Sequence, residues 1–120
     1  MFLNLTNHPS ALWSAEQTAA ARQLYGDIMD LPFPSVDPAG DEEYITSLAD
    51  DYVQRVLNMA DGQPVAVHLM GEMTLTYAIV RRLQMHGITC VAATTKRTIH
   101  IMPDGQKMSS FKFIRFRKYQ

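Results

Sequence analysis

The sequence predicts a small Rossmann-like, doubly wound α/β domain. Its parallel sheet has the order 2-1-3-4, and a C-terminal antiparallel β-hairpin follows it. Three observations carry that prediction. Short apolar runs alternate with helical patterns up to about position 93. Two of the runs, 64–70 and 88–93, are almost continuously apolar, as strands covered on both faces are. Beyond Lys96 the pattern changes to paired extended segments around Pro103-Asp104-Gly105, a hairpin signal. Residues 1–120 make one domain, long enough for a substantial core.

Phe2 to Leu5 is short and apolar and reads as the first strand, broken by Thr6-Asn7-His8-Pro9-Ser10. Proline removes a donor and keeps His8 out of helical geometry. Ser14-Ala15-Glu16-Gln17 forms a capping box with Trp13 placed to fold back on the first turn. That helix runs to Tyr25, where Gly26 can adopt the left-handed conformation that ends it. Residues 27–31 form a weak second strand, and Pro32 to Pro38 a stiff connector. Asp41 opens a second helix whose apolar face is expected at Ile45, Leu48, Tyr52, Val56 and Met59. The third strand is 64–70, and the third helix buries Leu75, Ile79 and Leu83 before ending at His86-Gly87. The fourth strand, 88–93, is expected to close on a polar segment, Thr94-Thr95-Lys96-Arg97. In the hairpin, Phe111 and Phe113 fall on one face and Ile114 and Phe116 on the other. This predicts a bulge near Phe113 or burial on both faces.

Composition narrows the function classes. Apolar residues make up 47% and charged ones 19%, with no apolar run near ~18 residues, so no membrane span is expected. The start, MFLNLTNHPS, lacks the basic and apolar pattern of a secretion signal. The lone Cys90 excludes an intrachain disulfide, and a cytoplasmic protein is the simplest expectation. Histidines 8, 68, 86 and 100 have no ligand spacing, so neither a metal site nor a cofactor is expected. The eight methionines read as packing.

A net charge of −1 argues against general duplex nucleic-acid binding, yet the charge is divided. Residues 96–120 hold seven cations against Asp104, net +6, whereas residues 26–61 hold nine carboxylates against Arg55, net −8. The basic end suits anions; alternatively, the two halves attract each other within the fold or across a dimer.

In an open α/β sheet, ligands bind beyond the carboxyl ends of the strands where strand order reverses. Here that rim would bring together Thr6-Asn7-His8-Pro9-Ser10, Gly71-Glu72-Met73-Thr74 and Thr94-Thr95-Lys96-Arg97. Asn7 and Ser10 would orient a ligand, and His8 would donate a proton or a hydrogen bond. The bland alternative is a turn before a capped helix. Trp13 is either a staple over that helix or a platform for base stacking. Two hydroxyls beside Lys96 and Arg97 suit phosphate. Neither GxxxxGK[ST] nor GxGxxG is present. Glu72 at the helix start either caps the helix, accepts from a ligand hydroxyl or amine, or pairs with Arg97. Such a junction fits a ribonucleotide better than a bare triphosphate.

The blocks "LNLTNHPS", "DLPFPSVDP", "HLMGEMTLTYAIVRRLQMHGI", "CVAATTKR" and "FKFIRFRKY" together span nearly the whole chain. In them the sequence resembles the small stand-alone ring nucleases encoded beside type III CRISPR systems, whose Rossmann-like domains are related to CARF sensors. The resemblance implies a homodimer that binds a cyclic oligoadenylate across its two-fold axis and often cleaves it. Cleavage would be metal-independent attack by a ribose 2′-hydroxyl, leaving a 2′,3′-cyclic phosphate. Lys96 and Arg97 would then stabilise the phosphoryl charge, assisted by the amides of Gly71 to Thr74, including Met73. His8 would protonate the leaving 5′-oxygen, Glu72 accept from the 2′-hydroxyl, and Asn7, Ser10 and Thr95 position phosphate or ribose. Competing expectations are a non-catalytic module that binds the same ring, a partner-docking protein using Phe111–Tyr119, and a linear-RNA binder.

Overall fold

The computed structural model describes residues 1–120. The strands are β1 (Phe2–Leu5), β2 (Ile28–Asp30), β3 (Ala66–Leu69), β4 (Thr89–Ile101) and β5 (Lys107–Lys118). The helices are α1 (Ala15–Tyr25), α2 (Glu42–Ala60) and α3 (Met73–Met85), with a short 3-10 turn at Ser10–Leu12. One mixed sheet runs β2-β1-β3-β4-β5; its first four strands are parallel, and β5 lies antiparallel beside β4. The parallel order is the expected one, although an antiparallel edge ribbon this long departs from a clean Rossmann arrangement. No helix is long and apolar enough to cross a membrane.

Strand alternation assigns the two faces. Leu3, Leu5, Val67, Leu69 and Cys90 pack with Ala49, Val53, Val56, Leu75, Ile79 and Leu83 of α2 and α3. Phe2, Ala66 and Val91 point the other way, onto Trp13, Ala21 of α1, Phe113 and Phe116. Each fully buried Leu or Phe contributes roughly 1.5–3 kcal/mol by leaving water, so these two layers hold the fold together. Burial on α2 differs from the expected face. Ala49, Val53 and Ala60 are buried beside Tyr52 and Val56, while Ile45, Leu48 and Met59 lie only at its margin. Small residues let α2 sit close to α3, and the longer side chains are displaced to the rim.

The caps follow the sequence. Ser14 Oγ accepts from the Gln17 amide at 3.1 Å, and Asp41 Oδ1 from the Tyr44 amide at 2.9 Å. The largest departure is at the C-terminal end. Thr94 to Arg97 do not form a strand-end segment; β4 continues through them to Ile101, and β5 pairs with it throughout. The register shifts between Thr94 and Thr95: Thr94 faces Arg115 and Thr95 faces Phe113, which leaves Ile114 as the extra residue. This bulge lets Phe113 and Phe116 both reach the core. The ribbon elongates the molecule to 51 Å, and its radius of gyration is 16.1 Å. A compact chain of this length would have about 14 Å.

Gly71 at the β3–α3 junction is needed for packing. A Cβ there would overlap the ring of Phe33, which is 5% exposed and cannot swing aside. Gly71→Ala is therefore expected to lower stability by about 1–3 kcal/mol, read as a reduced urea midpoint. An unchanged midpoint would mean that the Phe33 contact is loose.

Candidate functional site

A cavity of about 720 Å³ opens at the carboxyl ends of β1 and β3, on the α1 side of the sheet. Strand order reverses there. Its floor is Thr6, His68 and Ala93; Asn7, His8 and Leu12 form one wall; Ser14 and Gln17 of the α1 start form another. Met70 and Gly71 close it below, while Thr95, Phe111 and Phe113 of the ribbon form the far side.

A row of polar side chains underlies it. Asp30, Asn4 and His68 are direct neighbours in the β2–β1–β3 register. Asn4, only 1% exposed, donates from Nδ2 to Asp30 Oδ1 at 2.8 Å and to the His8 carbonyl at 2.9 Å. Its Oδ1 accepts from Thr6 Oγ1 at 2.9 Å and meets His68 Nδ1 at 3.0 Å. Ser10 donates to Asp30 through both its amide and its hydroxyl. Burial raises the Asp30 pKa, but the hydrogen bonds from Asn4 and Ser10 outweigh it, and the carboxyl ends below its ordinary value.

His68 Nε2 accepts from the Ala93 amide at 3.2 Å, so the proton sits on Nδ1 and points at Asn4. Both nitrogens are thus occupied. Burial, with a smaller contribution from nearby His8, lowers the pKa to about 4, which keeps the ring neutral. His68 supports the cavity floor and cannot act there as a base. Its stability effect has a defined pH window. Between pH 6.5 and about 4 the unfolded chain takes up a proton that the folded chain refuses, so stability falls as pH falls. Unfolding titrations are expected to show a loss on the order of 3 kcal/mol across that window. In His68→Asn that slope should disappear; a slope equal to the parent's would remove His68 as its source.

His8 is held differently. Its amide donates to Thr6 Oγ1 at 3.1 Å, and its carbonyl accepts from Asn4 Nδ2 and, at 3.3 Å, from Trp13 Nε1. The backbone is fixed on three sides, while the imidazole is exposed at the cavity and bonded to nothing.

The expected site residues divide. Thr6, Asn7, His8, Gly71 and Thr95 converge on the cavity as the topology required. Ser10 is engaged with Asp30, and Trp13 is buried against Phe2, His68 and Phe116. Trp13 is thus a core side chain between α1 and the sheet, a place that neither the staple nor the base-stacking expectation described. Glu72 is a cap: Oε1 accepts from the Thr74 amide at 3.0 Å and Oε2 from the Leu75 amide at 2.8 Å. The Thr74 hydroxyl and these amides hold its pKa below the ordinary value. Of the amides from Gly71 to Thr74 that were expected to assist a phosphate, these contacts take that of Thr74. Met73 lines a separate groove with Tyr77 and Tyr119, and Thr74 a shallow depression beside Gly40 and Asp41.

Thr94 and Lys96 alternate with Thr95 and point to the opposite face of the ribbon. Arg97 shares the cavity face but sits beyond it, donating to Ser109 Oγ at 3.1 Å rather than pairing with Glu72. Cys90 is buried, and burial pushes its thiol up to about 12. No group of three or more His, Cys, Asp or Glu is arranged to hold a metal ion. Sequence reasoning missed Asn4, Gln17, His68 and Phe111. Asn4 and His68 were detectable as single polar residues inside apolar strands, which demand buried partners.

A protein-family model described as "Uncharacterized protein MJ1673 family" matches residues 1–117. No curated protein and no solved structure matches the chain.

Proposed function

The chain belongs to the uncharacterized protein MJ1673 family, and we propose that it is a cytoplasmic ring nuclease of type III CRISPR defence. It binds a cyclic oligoadenylate at the carboxyl rim of a Rossmann-like sheet and works as a homodimer. The resemblance of the sequence blocks motivates the ligand. The observation that carries the chemistry is His8: a rigidly anchored residue whose free imidazole faces a nucleotide-sized cavity.

In the proposed step a ribose 2′-oxygen attacks the adjacent phosphorus and loses its proton to water. The bond to the 5′-oxygen breaks, and His8 gives that oxygen a proton. The products are a linear oligonucleotide with a 2′,3′-cyclic phosphate and a 5′-hydroxyl. The side-chain amides of Asn7 and Gln17 and the hydroxyl of Thr95 orient the ribose and phosphate. Arg97 supplies positive charge from the ribbon. Glu72 and Lys96, engaged or pointing elsewhere, have no part in it.

One observation favours a second reading, a module that binds the ring without cutting it. No cation lines the cavity itself, and Arg97 stands outside its wall. Incubation with cyclic tetra- and hexa-adenylate in chelator, followed by chromatography, separates the two. Linear products support the nuclease. Intact rings with a raised melting temperature support binding alone. Intact rings with no thermal shift overturn both.

A further inference from the structure

The ribbon face turned away from the cavity carries a feature the site does not use. Cross-strand register places Ala92 opposite Arg117, Thr94 opposite Arg115, and Lys96 opposite Lys112. By alternation along β4, residues 92, 94 and 96 lie on the side opposite Val91, Ala93 and Thr95. Four cations thus project from one narrow strip, and all four are exposed.

The ion pairs in the molecule, Arg55–Asp51 and Arg82–Asp50, lie on the helices, so no carboxylate neutralises this strip. Like charges placed directly opposite destabilise an antiparallel pair, and Lys96–Lys112 is such a pair. Beyond Val91 the only neighbour of β4 is β5, so edge protection accounts for a lysine on either strand of the ribbon, but it does not require two of them to face each other. A local rule broken without structural compensation marks a binding function.

We infer that this strip is a binding surface for a single phosphodiester strand, separate from the cavity. Its chemistry fits phosphates: four long cations, with the hydroxyls of Thr98 and Ser110 continuing the same face. A protein partner would call for aromatic or aliphatic anchors among the charges. The exposed aromatic ring of the ribbon, Phe111, lies on the other face with Ile99 and Ile101; on this face the exposed apolar side chains are Met108, beyond Ser110 and outside the cations, and Ile114 at the bulge. A duplex is disfavoured because α2, on the same side of the sheet, carries Glu42 and Glu43 outside any ion pair, which repel a second strand.

The test is fluorescence anisotropy with labelled 15-nucleotide oligo-U, oligo-dT and a mixed-sequence duplex across a potassium chloride series. With four phosphate contacts, log affinity for a single strand should fall with log salt at a slope of about −2.8. The double variant Lys96→Ser/Lys112→Ser should bind about tenfold more weakly at low salt, with a slope near −1.4. Its melting temperature should be unchanged or higher, because the repulsion is gone. Lys107→Gln, on the cavity face opposite Ile101, should leave the slope unaltered. Comparison of oligo-U with oligo-dT shows whether ribose contributes. No binding at low salt, tighter binding of the duplex, or an unaltered slope in the double variant would each overturn the inference. A failure of cyclic oligoadenylate cleavage would not touch it.

Discussion

His8→Ala is expected to lower turnover of cyclic tetra-adenylate by about 10²–10⁴-fold, the range for losing a positioned proton donor. Folding should hardly change. The imidazole makes no bond within the chain, and everything that fixes this residue comes from its amide and carbonyl, which alanine keeps. The measurement is single-turnover cleavage beside a ligand-dependent melting curve. A preserved thermal shift with slow cleavage assigns His8 to the chemical step. Turnover equal to the parent's would remove it from the reaction. Arg97→Ala is the useful companion. Its guanidinium is outside the cavity wall and bonded to Ser109, so its effect should appear in binding and be smaller than that of His8.

Asn4→Leu, which keeps the branched shape of the side chain, should cost about 3 kcal/mol of stability. Four hydrogen bonds meet on this one buried amide, from Thr6 and His68 and to Asp30 and the His8 carbonyl. Leucine leaves the Nδ1–H of His68 buried without an acceptor and removes the charge-assisted bond to Asp30, at about 1–3 kcal/mol each, while the His8 carbonyl keeps Trp13 and Thr6 as donors. The urea midpoint should fall by about 2 M with the slope of the transition unchanged. Because the amide also holds the His8 carbonyl, activity should fall even at temperatures where the variant is fully folded. A loss below about 1 kcal/mol would mean that the row is already solvated.

The two predictions concern residues of unlike legibility. His8 stood out in the sequence because Pro9 and the following cap force a turn at the end of an apolar strand, and a turn there belongs to the ligand rim. Asn4 stands inside Phe2-Leu3-Asn4-Leu5, where local pattern shows a strand with one polar residue that needs a partner but does not say which. Its importance comes from Asp30 and His68, which lie 26 and 64 residues away and become its neighbours only through register. Trp13 and Glu72 show the same limit from the other side. Their side chains are suited to ligand contacts, but nearer demands, a core gap and two open helix amides, take them first.

Local signals thus determined the caps at Ser14 and Asp41, the short first strand, the helix face at Leu75, Ile79 and Leu83, and the Pro103–Gly105 turn. All rest on interactions within a few residues, which sequence spacing encodes directly. The alternation of these elements determined the parallel order as well. Tertiary structure alone decided how far β4 continues, because β5 supplies the ladder partners that keep Thr94 to Ile101 extended. That continuation separates Lys96 from the cavity and divides one expected phosphate cluster between two faces, since successive residues of a strand must point opposite ways.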